Sequence, residues 1–175
     1  NKLISKSYHL NSFPSFSWRD RIKVKLSSDR GIDFKNNERG NKFHDLMSFI
    51  YNFNDIDSGV EKALNKNIIT KKEKPYFTKI IQNLLKDKDI REYYDPKFKS
   101  FNEIELLNEH GDVYRLDRVV ELDKNAVAVI DYKTGRNNEQ DKNQVNYYKE
   151  LLSKIYKGEV YGFIAYIDPI KIVKT

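Results

Sequence analysis

The sequence predicts an α/β protein in which helices flank a mixed central β-sheet, with a helical segment on the N-terminal side. Three observations predict this fold. Three segments with the apolar periodicity of helices precede any convincing strand. Three strand-like segments joined by short turns follow, and short turns favour an antiparallel meander. A helix and a wholly apolar strand come last, so the helix should return that strand to the sheet.

We expect one domain over residues 1–175 with an irregular N-terminal segment over 1–39. In that segment "RIKVKL" alternates apolar and basic residues and could form a short edge strand. The aromatic residues of "NSFPSFSW" lack a sustained period, so we expect a loop that docks through Phe13, Phe16 and Trp18.

Residues 40–95 form the expected helical part. The first helix should begin at Gly40, the second follows Asp57 and the third opens at Pro75, a residue suited to a first helical turn. The apolar stripes of the three helices are Phe43, Leu46, Met47 and Ile50, then Val60, Ala63 and Leu64, then Phe77, Ile80, Ile81, Leu84 and Leu85.

Residues 96–175 form the expected αβ core. Its strands are predicted at "SFNEIELL", "VYRLDRVVEL", "AVAVIDYK" and "VYGFIAYI". The helix before the last strand should run from about Glu139 to Tyr156 and stop at Gly158. Its inner positions are Val145, Tyr148, Leu152 and Ile155.

Composition excludes several classes of protein. The chain has no cysteine, which excludes disulfides, zinc–thiolate sites and iron–sulfur clusters. No apolar run suits a membrane helix and nothing resembles a signal peptide, so we expect a cytoplasmic protein without a membrane partner. A net charge of +6 suits a polyanionic partner, although charge alone favours the simpler explanation of a lysine-rich surface. The chain starts at Asn1, so we expect an excised piece of a longer protein.

Charged residues gather where the predicted strands end. Side chains alternate along a strand, so Val127, Val129, Asp131 and Lys133 should share one face. Asp117 and Asp131 are about equally far from the turn between their strands, so the two carboxylates should lie side by side.

Glu103 and Glu105 share a face of the preceding strand. Three or four carboxylates meeting at strand ends would repel one another without a cation among them. Oxygen ligands favour Mg²⁺ or Mn²⁺ over structural zinc, and a nearby lysine can stabilise charge that develops in a transition state. Each residue alone has an ordinary surface explanation, but the combination favours cleavage of a phosphodiester.

The segment "GDVYRLDRVV" followed by "AVAVIDYKTG" resembles the PD-(D/E)XK nucleases, specifically the RecB/AddA-type exonuclease branch. The resemblance implies a restriction-endonuclease-like fold. It implies that Asp117 and Asp131 are the metal-binding carboxylates and that Lys133 is the catalytic lysine. The backbone carbonyl of Tyr132 would be a further metal ligand.

Three shorter matches extend the resemblance. "RGNKFHDLM" makes His44 a candidate metal ligand, although a histidine there could also be a surface or core residue. "NEIELL" resembles the strand that carries the active-site glutamate; Glu103 is the better match, but strand parity does not separate it from Glu105. In "QVNYYKELL", Gln144 and Tyr148 share a helix face and could contact the lysine or DNA, or Tyr148 could serve the core alone.

The resemblance implies a Mg²⁺- or Mn²⁺-dependent deoxyribonuclease domain without an iron–sulfur cluster. Such a domain would process linear DNA ends or single strands. Such domains belong to bacterial helicase–nucleases of recombinational repair, so the expected partner is a helicase part of the same polypeptide or a helicase subunit. The alternative is a non-catalytic nucleic-acid-binding or scaffolding module that keeps the nuclease fold. Strand polarity, exonuclease or endonuclease mode and the choice of DNA or RNA stay open.

Overall fold

The computed structural model describes residues 34–123 and 126–175, in which five strands form one mixed sheet with helices packed on both faces. The strands are β1 Lys99–Leu107, β2 Val113–Asp123, β3 Ala126–Lys133, β4 Glu159–Ile167 and β5 Ile170–Lys174. The α-helices are α1 Phe34–Met47, α2 Ile56–Asn65, α3 Lys74–Leu84 and α4 Glu139–Ser153, with short 3-10 helices at Phe53–Asp55 and Arg91–Tyr94. Within these residues, none of the helices combines the length and apolarity needed to cross a membrane.

The strands follow one another in the sheet in the order of the sequence. β1, β2 and β3 pair antiparallel, which confirms the predicted meander. β4 pairs parallel to β3 after the crossover through α4, which confirms that the helix returns this strand. β5, which was not predicted, adds an antiparallel edge after β4. Its five residues, "IKIVK", are only partly buried or exposed, so they lack the apolar run by which β4 was found.

Side chains of β3 divide between two cores, as alternation along a strand requires. Ala128 and Ile130 pack with the core of α1, α2 and α3, whereas Val127 and Val129 pack with α4. The predicted helix stripes are buried, with Leu64 and Ile80 only partly so. The prediction for Ile155 was wrong: its side chain is 61% exposed because α4 ends at Ser153, before that position can turn inward.

Helix α1 begins at Phe34 and not at Gly40. The sequence "FKNNER" of the added turns is polar after its first residue, so apolar periodicity could not detect them. Residues 34–39 are therefore helical and not irregular as expected. The predictions for "RIKVKL" and for docking through Phe13, Phe16 and Trp18 lie outside the described residues.

Gly162 of β4 sets how closely α4 lies against the sheet. A Cβ atom added at this glycine would meet the Thr175 side chain, and it would lie 2.8 Å from Val145 Cγ1 and 2.7 Å from Lys149 Cδ, both on α4. Lys149 is flexible, but Val145 is fully buried and has few alternative positions. The missing side chain thus brings α4 onto β4.

We expect Gly162→Ala to lower the free energy of unfolding by about 1–3 kcal/mol, because a methyl group there overpacks the contact with Val145. The matched control is Gly135→Ala, whose added Cβ would meet nothing within 4 Å and which should stay close to the parent chain. Denaturant unfolding of the three chains measures the difference. Equal midpoints for all three would show that α4 does not depend on close approach at Gly162.

Candidate active site

The sheet opens beside Asp117. Pairing of β2 with β3 runs through Arg118 and Ile130, and beyond that pair the backbone N–H of Tyr132 donates to Asp117 Oδ2 at 2.8 Å. A side-chain carboxylate therefore accepts the hydrogen bond at the point where the two strands part. This contact holds a buried carboxylate, only 8% exposed, at the edge of the opening.

The pairing of β1 with β2 is interrupted at the same level. Asn102 pairs with Arg118 and Ile104 pairs with Leu116, and Glu103 between them has a φ of 54°. Left-handed backbone is uncommon for a residue other than glycine and is concentrated at functional sites. The register is the same on both sides of Glu103, so this residue lies level with Asp117 of β2.

Helix α1 approaches the end of β3 closely enough to deliver His44. A Cβ atom at Gly40 would lie 3.1 Å from the Thr134 side chain, so the glycine permits this close approach. One turn later His44 Nδ1 lies 3.1 Å from Asp117 Oδ1. The imidazole also meets the Tyr132 ring edge to face, with centroids 5.9 Å apart and planes at 76°.

His44, Glu103 and Asp117 form a group that could hold a divalent cation. Each offers one ligand atom, and these atoms all lie within 4.8 Å of one another. Two carboxylates and an imidazole at that spacing suit an octahedral ion with metal–oxygen distances of about 2.0–2.1 Å. The residues therefore fit the Mg²⁺ or Mn²⁺ that the sequence predicted. Glu103 Oε2 also lies 2.8 Å from Arg115 Nε.

Lys133 is held by a chain of polar contacts that runs to α4. Its Nζ lies 2.8 Å from Asp131 Oδ2 and donates to Gln144 Oε1 at 2.9 Å. Gln144 Nε2 donates to Tyr148 Oη at 2.6 Å, and Tyr148 donates to the Arg115 carbonyl at 3.3 Å. Because Gln144 and Tyr148 are successive positions on one helix face, α4 fixes the direction of the lysine.

A cavity of about 560 Å³ joins the metal-ligand group to the lysine chain. Its lining residues are Asn41, His44, Asp45, Arg115, Asp117, Asp131, Lys133, Gln144 and Tyr148.

The electrostatics of the cavity favour an added cation. Burial, and then the nearby charge of Asp117, raise the pKa of Asp131 to about 6, although Lys133 opposes this rise. Burial lowers the pKa of His44, but the hydrogen bond to Asp117 and the charges of both aspartates outweigh it, so the net pKa is raised. Asp131 and His44 thus hold a proton more tightly than usual, and a divalent ion would compete with that proton.

The structure brings the predicted site residues together. His44, Asp117, Asp131, Lys133, Gln144 and Tyr148 line one cavity, and Glu103 reaches it from β1. Glu105 instead pairs across the ladder with Arg115. Tyr132 directs its side chain to the opposite core, where its hydroxyl meets that of Tyr94. The metal and catalytic roles assigned to these residues stay predictions.

Sequence reasoning missed three residues of the lining. Arg115 lies two positions before Asp117 on the same strand, so alternation could have placed it beside the site. Asn41 precedes His44 by three positions, so helical spacing could have placed it beside the site. Asp45 directly follows His44, and helical spacing gives no signal for it.

Residues 15–169 match the family model of the PD-(D/E)XK nuclease superfamily. The chain belongs to this superfamily. Members of this superfamily are typically metal-dependent nucleases, and the five-stranded sheet between helices agrees with the restriction-endonuclease-like fold.

A comparison with solved structures also found matches to this chain. One, described as "Crystal structure of SSO0001", is 21% identical with a TM-score of 0.34 and aligns with 75% of this chain and 65% of its own. The chain thus spans about 65% of the length of that structure. None of the curated proteins matches the chain.

We expect Glu103→Gln to weaken Mn²⁺ binding by at least about tenfold, because the change removes a negative ligand from the group. Glu105→Gln is the matched control on the same strand and should bind Mn²⁺ like the parent chain. Isothermal titration of the three proteins at pH 8 gives the comparison. If Glu105→Gln weakened Mn²⁺ binding and Glu103→Gln did not, Glu105 would be the metal ligand.

We expect Mn²⁺ affinity to fall by about tenfold or more between pH 7 and pH 5, because Asp131 retains a proton below about pH 6. The same raised pKa means that the folded metal-free chain binds more protons than the unfolded chain between about pH 4 and 6. Its stability should therefore fall as pH rises through that window. Titrations and thermal melts in Asp131→Asn should show a weaker pH dependence, and an unchanged one would place the titrating group elsewhere.

Proposed function

We propose that this chain is a Mg²⁺- or Mn²⁺-dependent deoxyribonuclease domain that hydrolyses phosphodiester bonds at the cavity beside Asp117. One observation carries the proposal. His44, Glu103 and Asp117 place their ligand atoms within 4.8 Å of one another, and the same cavity holds Lys133 in a fixed direction. A structural metal site has no use for an oriented lysine, whereas hydrolysis of a phosphate does.

The metal-binding residues and Lys133 would have separate roles in the reaction. His44, Glu103 and Asp117, with Asp131 next to them, would hold the cation. When bound, such an ion polarises a phosphate oxygen and makes a water molecule more acidic. The backbone carbonyl of Tyr132 is a further candidate ligand, proposed from the resemblance alone.

Lys133 would act as a cation and not as a base. Burial lowers its pKa, but the charge of Asp131 and the hydrogen bond to it outweigh burial, so the net pKa is raised above the usual value. The ammonium group therefore keeps its proton at neutral pH and can donate to an oxygen on which negative charge develops. Gln144 and Tyr148 would keep it aimed at that oxygen.

The exposed guanidinium of Arg115 supports a nucleic-acid substrate. It lines the cavity with 63% of its side chain exposed, next to Glu103. A guanidinium in this place suits contact with a phosphate of the substrate backbone. DNA is the substrate that the superfamily implies.

The resemblance to the RecB/AddA-type branch supports the finer part of the proposal. We infer that the domain acts as an exonuclease on linear DNA ends or single strands in recombinational repair. Its partner would be the helicase part of the same polypeptide or a helicase subunit, in the cytoplasm of a bacterial cell.

The test of the activity is degradation of end-labelled DNA by the 175-residue chain with 5 to 10 mM Mg²⁺ or Mn²⁺, roughly the saturating range for weakly held ions. Linear and circular, single- and double-stranded DNA and a matched RNA are compared. Metal-dependent loss of linear DNA, with circular DNA spared, supports the exonuclease. Binding without cleavage in every metal would support the scaffolding module instead.

We expect Lys133→Ala to lower the cleavage rate about 100-fold or more at saturating Mn²⁺, because it removes a contact made in the transition state. Mn²⁺ affinity at pH 8 should be unchanged or slightly higher, since a nearby positive charge opposes the metal. Lys171→Ala is the charge-matched control: it removes an exposed lysine from β5 and should cleave normally. A Lys133→Ala chain that keeps its maximal rate and only shifts the metal midpoint would contradict the catalytic role.

A further inference from the structure

Arg118 is a fully buried cation on the opposite side of β2 from the candidate site. It directly follows Asp117, and its guanidinium is enclosed with none of its surface exposed. A buried charge is costly unless hydrogen bonds replace the water that it loses. The contacts that replace this water reveal what the arginine connects.

The guanidinium binds the chain that follows α1. Nη1 donates to the Ile50 carbonyl at 3.1 Å, and Nη2 donates to the Tyr51 carbonyl at 2.7 Å and to the Tyr93 carbonyl at 3.0 Å. Its Cζ also lies 4.0 Å from the centroid of the Tyr94 ring. One side chain of β2 thus joins the end of α1 to the 3-10 helix Arg91–Tyr94.

Asn102 of β1 completes this attachment. Its Oδ1 accepts from Arg118 Nη1 at 3.0 Å. Its Nδ2 lies within hydrogen-bonding distance of three carbonyls at the end of α1: those of Met47 at 3.2 Å, Ser48 at 3.2 Å and Ile50 at 3.1 Å. Of these residues only Met47 belongs to α1, and its carbonyl also accepts from the Ile50 N–H at 3.0 Å. Asn102 and Arg118 therefore mainly bind backbone carbonyls of the turn that follows the helix, where buried carbonyls need hydrogen-bond donors.

The hydrogen bonds of Arg118 and Asn102 hold the chain from Met47 onward, about one helical turn beyond His44. If α1 shifted by even one ångström, the 3.1 Å contact between His44 Nδ1 and Asp117 Oδ1 would be lost. Asp117 and Arg118 are adjacent on β2, so the same strand carries a candidate ligand and the anchor of the helix that supplies another. Likewise, Asn102 and Glu103 are adjacent on β1, so this strand also carries both an anchor of α1 and a candidate ligand.

We propose that Arg118 and Asn102 are positioning residues that set α1, and with it His44, for cation binding at Glu103 and Asp117. This inference rests on the proposed function for the identity of the site. Neither residue belongs to the group of candidate ligands or lines the cavity. They act by fixing the place of the helix, as outer hydrogen bonds fix the ligands of metal sites in general.

The test compares Arg118→Lys and Asn102→Ala with Ile81→Ala as a destabilised control. Lysine keeps the charge but cannot reproduce the fork of donors that spans several acceptors. Ile81 is fully buried on α3 and takes no part in the hydrogen bonds of Arg118 and Asn102, so its truncation should lower the melting temperature while leaving those hydrogen bonds in place. Two quantities are measured: Mn²⁺ affinity by titration at pH 8, and hydrogen exchange of the α1 amides without metal.

The expected result is a 10- to 100-fold loss of Mn²⁺ affinity in Arg118→Lys and Asn102→Ala, in the range of outer hydrogen-bond partners of metal sites, with faster exchange concentrated in α1. The Ile81→Ala chain should bind Mn²⁺ like the parent despite its lower melting temperature. If Arg118→Lys does not fold, the Mn²⁺ affinity and α1 exchange of Asn102→Ala alone decide the positioning role.

The positioning role would be overturned if the two variants bound Mn²⁺ like the parent chain, or if Ile81→Ala lost as much Mn²⁺ affinity as they do. Arg118 and Asn102 would then contribute to stability alone. A parent chain that binds no Mn²⁺ would refute the proposed metal site. In that case exchange in α1 still decides whether Arg118 and Asn102 hold the helix, and unchanged exchange overturns the inference.

Discussion

The carboxylate of Asp117 is the group on which the geometry of the site depends. One oxygen accepts from the Tyr132 backbone N–H where β2 and β3 part, and the other lies 3.1 Å from His44 Nδ1. The first contact ties the carboxylate to the sheet, and the second relates it to α1. Because both oxygens have a defined neighbour, the strand opening and the helix meet at one place, and Glu103 joins them there from β1.

This geometry brings the carboxylates of Asp117 and Asp131 close together, so they repel each other. Asp131 is almost completely buried beside Asp117, and burial together with the second carboxylate raises its pKa to about 6. Lys133 offsets part of this charge through its 2.8 Å contact with Asp131. The remaining negative charge disfavours the ionised metal-free site, and this same charge would attract a divalent cation.

Much of the fold followed from local pattern. Helical periodicity located the apolar faces of α1 to α3, and alternation placed Asp131 and Lys133 on the face that α4 covers. Pattern failed where an element lacks a sustained apolar period, as in the first turns of α1 and in the short edge strand β5. It also placed Ile155 inward, since spacing alone cannot show that α4 ends at Ser153.

The sequence by itself determined which residues share a strand face or a helix face, since these relations depend only on backbone periods of 2 and 3.6. That was enough to predict Asp131 with Lys133 and Gln144 with Tyr148. Only the tertiary structure decided that Glu103 and not Glu105 approaches Asp117, because the register of β1 against β2 sets Glu103 level with Asp117 and pairs Glu105 with Arg115. It also decided where His44 lies, since docking of α1 on Arg118 and Asn102 joins residues more than fifty positions apart.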